Sequence, residues 1–143
     1  MTVFNTDSAV GKSGKADFDN IYVAQDPREY YRVLCGLDYV IPDLAKGIFR
    51  SLIKHCSEER EEPIKVLDIG CSYGINSALI EYPLDIQRLL QRYSCPEMYR
   101  LSSETLRVLD RNYFSSWPRR SDAIFYGVDI SQTATSYAKA VGL

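Results

Sequence analysis

The sequence predicts an α/β fold in which short parallel strands alternate with helices. Two strand patterns, at residues 64–69 and 123–129, are rich in β-branched and aromatic residues, and a turn follows each of them. Helical periodicity occurs before, between and after these strands. The chain has 143 residues, of which 45% are hydrophobic, and this composition suits one domain with its own core.

Residues 1–20 are mostly small and polar and show no apolar periodicity, so they predict a flexible N-terminal arm. Two Gly-Lys pairs in this arm do not complete a phosphate-binding loop. Thr6 stands where the first pair requires a glycine, and Ala16 stands where the second requires serine or threonine.

Residues 21–62 predict a helical cap. Asp26 and Pro27 have the form of a helix start, and a short helix is expected after them. A second helix is expected from Pro42 to about Cys56, since its apolar residues recur at three- and four-residue spacing. We expect this apolar stripe to lie in the core; its members are Leu44, Ala45, Ile48, Phe49, Leu52 and Ile53.

Residues 63–80 predict a unit of strand, turn and helix. The strand at 64–69 is bounded by a proline and a glycine, and we expect it to be buried. Residues 81–120 predict a helical insertion, with helices at 84–93 and 103–114. The insertion is interpreted either as a cap over the site or as a surface for a partner.

Residues 121–143 repeat the order of strand, turn and helix. The strand at 123–129 is also expected to be buried. Ser131 is suited to cap a helix, which is expected from Gln132 to about Val141.

Charge and composition argue against several classes of protein. The net charge of -2, from 17 basic and 19 acidic residues, offers no cationic surface for a nucleic acid. No membrane-spanning run and no signal segment stand out, so we expect a cytoplasmic protein without a membrane anchor. The sequence has no C-x-x-C pair, so the cysteines do not predict a zinc site. The four cysteines are expected to be buried or half-buried thiols: Cys35, Cys56, Cys71 and Cys95.

The segment 66–74, VLDIGCSYG, is the best candidate for a binding site. Gly70 lets the backbone approach a ligand, and Gly74 permits close packing where the next helix starts. Asp68 can accept a hydrogen bond from an ammonium group, and free N–H groups at the helix start suit a carboxylate. The segment therefore predicts a site for an amino-acid head group that carries both charges.

A nicotinamide-dinucleotide site is the main alternative. Its fingerprint requires glycine at three positions, where this sequence has Gly70, Ser72 and Ile75. The carboxylate of Asp68, two residues before Gly70, is also unfavourable for a pyrophosphate. Both observations disfavour a dinucleotide.

The segment 66–74 resembles motif I, Asp/Glu-x-Gly-x-Gly-x-Gly, of class I (Rossmann-like) S-adenosylmethionine-dependent methyltransferases, with Ser72 in place of the middle glycine. The segment 125–131, FYGVDIS, resembles motif II, in which the acid that ends the second strand binds both ribose hydroxyls. The resemblance implies that S-adenosylmethionine or S-adenosylhomocysteine binds here, with Asp129 at the ribose and Ile130 beside the adenine. The implied cofactor-binding residues are Asp68, Gly70, Cys71, Ser72, Gly74, Asp129 and Ile130.

The resemblance covers only the N-terminal half of a methyltransferase domain, a partial Rossmann-like fold over residues 21–143. About sixty residues separate Asp68 from Asp129, whereas a Rossmann unit usually needs about twenty. No catalytic residue is assigned, because the acceptor side belongs to later strands of the family's fold. We expect a truncated, methyltransferase-like protein whose activity needs missing elements or a partner. The alternative is a non-enzymatic paralogue that binds a full-length methyltransferase and regulates or stabilises it.

Two further expectations concern the surroundings of the site. An open edge on the first strand would leave backbone groups unpaired, so we expect a homo-oligomer or a complex with another methyltransferase chain. Four residues ahead of motif I are interpreted either as packing residues, which we favour, or as a lid over the cofactor: Tyr30, Tyr31, Asp38 and Tyr39.

Overall fold

The computed structural model describes residues 18–143, so most of the predicted arm lies outside the described residues. The part described has the predicted α/β character, with a two-stranded parallel sheet and seven α-helices. None of these helices is both long and apolar enough to span a membrane. The elements are α1 (Asp19–Tyr22), α2 (Arg28–Gly36), α3 (Ile41–Ser57), β1 (Ile64–Ile69), α4 (Ile75–Glu81), α5 (Ile86–Ser94), a 3-10 turn (Met98–Arg100), α6 (Ser103–Ser115), β2 (Ala123–Val128) and α7 (Gln132–Val141).

The two strands pair in parallel and in full register. Ile64 lies opposite Ala123, and Ile69 lies opposite Val128. Parallel strands require a long crossover, which the helices between them supply. Because both strands run in the same direction, the turns that follow them lie at the same edge of the sheet.

Helices cover one face of the sheet and leave the other exposed. Ile64, Val66 and Phe125 lie on the covered face, against Ile53 of α3 and Ile80 of α4. The opposite face, which we call the free face, is exposed within the described chain. The prediction that both strands are buried is therefore wrong for this face, because alternate side chains of a strand point to opposite sides. The free face consists of Lys65, Leu67, Ile69, Ile124, Tyr126 and Val128.

Helix α3 turns most of its apolar residues away from the core. Ile53 is buried, whereas Leu44 is 71% exposed. The prediction that the apolar stripe lies in the core is wrong for these outward residues, since α3 rests on β1 and α4 through its opposite side. We call the exposed set the α3 stripe; it consists of Ile41, Leu44, Ile48, Phe49 and Leu52.

The main core lies among the helices and is rich in tyrosine. Tyr73, Tyr93 and Tyr137 are each 1% exposed. Tyr31 stacks on Tyr93 with ring centroids 4.3 Å apart. Helix α5 packs on α2, and α6 packs on α7, so the insertion is an integral part of this core.

A buried polar network fastens the insertion to α7. The carboxylate of Asp110, which has no exposed surface, accepts a hydrogen bond from Arg92 at 2.8 Å and one from the Tyr137 hydroxyl at 2.5 Å. The Tyr93 and Tyr137 hydroxyls lie 2.9 Å apart. These partners compensate for the loss of hydration that a buried carboxylate suffers.

All four cysteines are free thiols. Cys71 is buried and Cys95 is half-buried, as predicted. The prediction is wrong for Cys35 and Cys56, which are exposed because they lie on outward-facing positions near the ends of α2 and α3.

We expect Asp110→Ala to lower the free energy of unfolding by about 3–5 kcal/mol, because Arg92 would remain largely buried without its counter-charge. Arg32→Ala is the matched control. It breaks an ion pair with Glu29 in which both side chains are about half exposed, and we expect a loss below about 1 kcal/mol. Urea unfolding followed by circular dichroism measures both values. Equal losses would contradict a stabilising role for the buried network.

Candidate functional site

The turn at residues 70–74, which we call the motif turn, connects β1 to α4. Gly70, Ser72 and Gly74 all have positive φ angles, of 80°, 47° and 82°. This left-handed conformation favours glycine, and other residues adopt it at a cost of about 1–2 kcal/mol. The glycine pattern of the segment is therefore a backbone requirement of the turn, and Ser72 meets that requirement with some strain.

Two glycines let the motif turn pack closely against its neighbours. A Cβ on Gly74 would lie 2.8 Å from the Cβ of Leu143, and a Cβ on Gly127 would lie 2.7 Å from the Sγ of Cys71. By contrast, a Cβ on Gly70 would meet no described atom within 4 Å outside residues 69–71. Gly74 and Gly127 thus serve packing, whereas Gly70 faces open space.

The carboxylate of Asp129 joins the ends of the two strands. Its Oδ2 accepts a hydrogen bond from the Ser72 N–H at 2.9 Å, and its Oδ1 accepts one from the Ser131 N–H at 2.8 Å. The Ser131 hydroxyl accepts from the Ala134 N–H and caps α7, as predicted. A carboxylate has about four acceptor positions, so Asp129 can still accept hydrogen bonds from a ligand.

Asp68 lies at the carboxyl end of β1, on the covered face. Its Oδ1 accepts a hydrogen bond from the Asn76 amide at 3.2 Å, whereas its Oδ2 is buried without a hydrogen-bond partner among the described residues. Burial raises the pKa of Asp68, the hydrogen bond from Asn76 opposes this shift, and the negative charge of Asp129 raises the pKa further. The unpartnered oxygen favours a proton or a cationic donor.

The segment around α1 forms one wall of the site. The Tyr73 hydroxyl oxygen lies 2.9 Å from the carbonyl oxygens of both Ile21 and Ala24, which share its single proton. The Ser131 hydroxyl donates to the Tyr22 carbonyl at 2.5 Å. Helix α1 is thereby held beside both turns.

Sequence reasoning missed this wall, because α1 begins at Asp19, inside the segment interpreted as an arm. One signal was present. Phe18, Ile21 and Tyr22 have the i, i+3, i+4 spacing of a helix face, but a single turn is too short to stand out from a polar segment.

A crevice of about 800 Å³ opens where the strand ends meet α1. Gly70, Asp129 and Ile130 lie along it, and the Ile130 side chain is fully exposed. The volume falls within the usual range of about 300–1,000 Å³ for small-molecule sites. The rest of the lining consists of Asp19, Tyr22, Val23, Ile69, Val128 and Ser131.

A second cavity, of about 490 Å³, adjoins the motif turn. Asp68, Cys71 and Gly74 line it together with residues of β2 and α7. The structure thus distributes the predicted cofactor-binding residues over two neighbouring spaces. Ser72 lines neither of them and is connected to the crevice through its N–H bond to Asp129.

Most backbone amides of the motif turn already have acceptors. Gly70 and Cys71 both donate to the Val128 carbonyl, and Gly74 donates to the Cys71 carbonyl. Among the described residues, the amides of this region that have no acceptor are those of Tyr73 and of the first turn of α4, where a helix leaves its N–H groups without internal acceptors.

The interpretation of the upstream aromatics as packing residues agrees with the structure. Tyr30 and Tyr31 are 7% and 3% exposed, and Tyr39 packs against the same core. None of them lines the crevice, and neither does Asp38, which is exposed. The insertion at 81–120 also lines neither cavity, so it does not act as a cap over the site.

Comparison with protein-family models finds no match to this chain, and comparisons with curated proteins and with solved structures find none either. Within residues 18–143, no three His, Cys, Asp or Glu side chains form a group that could hold a metal ion.

We expect Gly74→Ala to lower the free energy of unfolding by about 1–3 kcal/mol, because a methyl group would add left-handed strain and crowd Leu143. Gly36→Ala is the control, since its Cβ has no described neighbour within 4 Å and its φ is not in the left-handed region. We expect that change to be neutral or slightly stabilising. Urea unfolding compares the two variants, and a Gly74→Ala protein as stable as Gly36→Ala would refute the packing role.

The pH dependence of stability tests the environment of Asp68. Because the folded state raises its pKa above the usual 3.8, the folded protein holds more protons than the unfolded chain just above that pH. Stability is therefore lost as the pH rises through the raised pKa. We expect Asp68→Asn to unfold at a higher temperature than the parent at neutral pH, with the difference disappearing below the usual pKa.

Asp122→Asn is the control, and for it we expect a change in stability of the opposite sign. The hydrogen bonds from Arg120 hold the pKa of Asp122 below its usual value, so this carboxylate stabilises the fold above that value. We expect Asp122→Asn to be the less stable protein at neutral pH. Thermal unfolding followed by circular dichroism across this pH range measures both variants, and shifts of the same sign would disprove the assignment.

Proposed function

We propose that this chain binds S-adenosylmethionine in the crevice and is a methyltransferase-like protein. The observation that carries the proposal is the position of Asp129, at the end of β2 beside the open space over Gly70. The two segments that resemble methyltransferase motifs meet at this place. Their junction supports the proposal, because the parallel pairing of β1 with β2 is the arrangement that the resemblance implies.

The crevice suits the adenosine part of this cofactor. Asp129 keeps acceptor positions beyond its two backbone bonds, and a carboxylate can accept from both hydroxyls of a ribose. Ile130 is fully exposed, and Ile69 and Val128 extend the same apolar lining. These three side chains offer a surface for a flat, weakly polar ring such as adenine.

The charges near the motif turn suit the methionine part. Asp129 borders the turn from the crevice, and Asp68 borders it from the adjoining cavity. Their negative potential favours a ligand with ammonium and sulfonium charges. The open position at Gly70 lets such a ligand approach the backbone without meeting a side chain.

When bound, S-adenosylmethionine supplies an electrophilic methyl group. The protein's part in such a displacement is to hold the donor and the acceptor in line. In this proposal Asp129 and Ile130 hold the donor, and the α1 segment shields one side of it from water.

A second candidate is non-enzymatic: the chain binds a full-length methyltransferase and stabilises or regulates it. The free face favours this function, because parallel sheets almost always have both faces covered. Leu67 is 58% exposed and Ile69 is 79% exposed. Apolar patches of this kind mark protein contacts. Ile69 and Val128 belong to both the free face and the crevice, so a partner on this face would compete with a ligand.

Titration calorimetry with S-adenosylmethionine and S-adenosylhomocysteine tests the first function. We expect Asp68→Ala and Asp129→Ala each to weaken binding by about 1–3 kcal/mol through loss of charge-assisted interactions. Asp122→Ala is the matched control, because Asp122 precedes the same strand at its opposite end and pairs with Arg120. It should leave the affinity unchanged.

Three results would refute cofactor binding at the crevice. They are absence of binding by the folded parent protein, binding of NADH alone, and an unchanged affinity in both the Asp68→Ala and the Asp129→Ala variant. Circular dichroism of each variant separates a lost ligand contact from a lost fold.

A further inference from the structure

The α3 stripe is apolar where a solvent-facing helix surface is normally charged. Ile41, Leu44 and Ile48 are 62%, 71% and 65% exposed. Among the exposed positions of α3, the only lysine, arginine, aspartate or glutamate is Lys54. Such a face is suited to contact another protein surface.

The outer edge of β1 is unpaired within residues 18–143, where β1 pairs with β2 alone. The N–H of Ile64 donates to Asp122 and that of Gly70 donates to Val128, so even-numbered positions direct their amides towards β2. The intervening amides, of Lys65, Leu67 and Ile69, therefore point to the open edge. An edge of this kind is a template for a further strand.

The helix that carries the stripe contacts the strand that carries the open edge. Helix α3 contacts β1 and α4, and its inward residue Ile53 packs near Ile64 and Val66 of β1. The five stripe side chains present on the order of 500 Å² of apolar surface, as large as the largest patch on many monomers. Together with the strand edge they approach the roughly 800 Å² that each partner buries in a stable dimer.

We propose that a second copy of this chain occupies this surface, related by a two-fold axis normal to the sheet. In this arrangement β1 pairs antiparallel with the β1 of the second copy. Both α3 helices then lie on the same side of the joined sheet, with their stripes in contact. Ile48 lies near the middle of α3 and meets its own counterpart, while Leu44 meets Leu52 of the other copy.

A second copy explains both exposed features with one contact. The axis that pairs the two β1 edges also brings the two stripes together, and a closed two-fold contact leaves neither edge nor stripe for further growth. The crevice shares only Ile69 with this contact, and its other lining residues lie beyond the paired strand, so it stays open in the dimer. Dimer formation and cofactor binding are therefore separate properties with separate tests.

Sedimentation velocity over a concentration series tests the dimer. We expect the parent protein to sediment as a dimer at micromolar concentrations, with Ile48→Glu raising the dimer dissociation constant about tenfold or more. Val108→Glu is the matched control, because Val108 is 58% exposed on α6, away from the interface, and should leave the dimer intact. Circular dichroism confirms that each variant is folded.

Amide hydrogen exchange measured by NMR tests the strand pairing. We expect slow exchange at Lys65, Leu67 and Ile69 in the parent dimer and fast exchange at these positions in Ile48→Glu. The Val66 amide, on the β2 side, should exchange slowly in both proteins. Slow exchange at the three edge amides in a monomeric parent would show that the chain covers its own edge.

A monomeric parent protein would overturn the proposal, whether the amides of Lys65, Leu67 and Ile69 exchange slowly or fast. A dimer that survives Ile48→Glu, or a dimer whose edge amides exchange fast, would also overturn it.

Discussion

The hydrogen bonds of Asp129 to Ser72 and Ser131 hold the candidate site together. Parallel pairing brings the two strand ends to one edge, and the bond from the Ser72 N–H to Asp129 joins the two following turns, beside the bonds from Gly70 and Cys71 to the Val128 carbonyl. The residue that the motif resemblance places at the ribose therefore also supports the walls of the crevice. Changing Asp129 removes a ligand contact and also loosens the two turns. Asp68 makes neither of these two bonds, so changing it tests the ligand contact without loosening the turns in this way.

Local signals in the sequence predicted the limits of several strands and helices. Strand β1 and helix α7 have the predicted limits, because proline, glycine and a capping serine mark them within a few residues. The meeting of the two strand ends followed from the predicted fold class, since parallel strands place their turns at one edge. The limits of β1 and α7, by contrast, depend on neighbours in the sequence and can be predicted from one sequence.

Packing between residues that are distant in the sequence could not be predicted from local signals. Periodicity showed which residues of α3 share a side, but not that this side faces outward, because the direction depends on what β1 and α4 leave uncovered. The network of Arg92, Asp110 and Tyr137 joins residues from three helices, and no spacing rule connects them. The α1 wall was missed for a related reason: a single helical turn is held in place here by bonds from distant residues.

Some features of the motif turn and its surroundings are explained by backbone conformation and packing, whereas others would be explained by a bound ligand. Ser72 and Gly74 are explained by left-handed φ angles, and Gly127 is explained by its contact with Cys71. Gly70 also has a positive φ, but no described side chain or backbone atom fills the space beside it. The features that packing leaves unexplained are this open space, the full exposure of Ile130 and the spare acceptor positions of Asp129. All three border the same crevice, and this coincidence supports a binding site more strongly than the glycine pattern does.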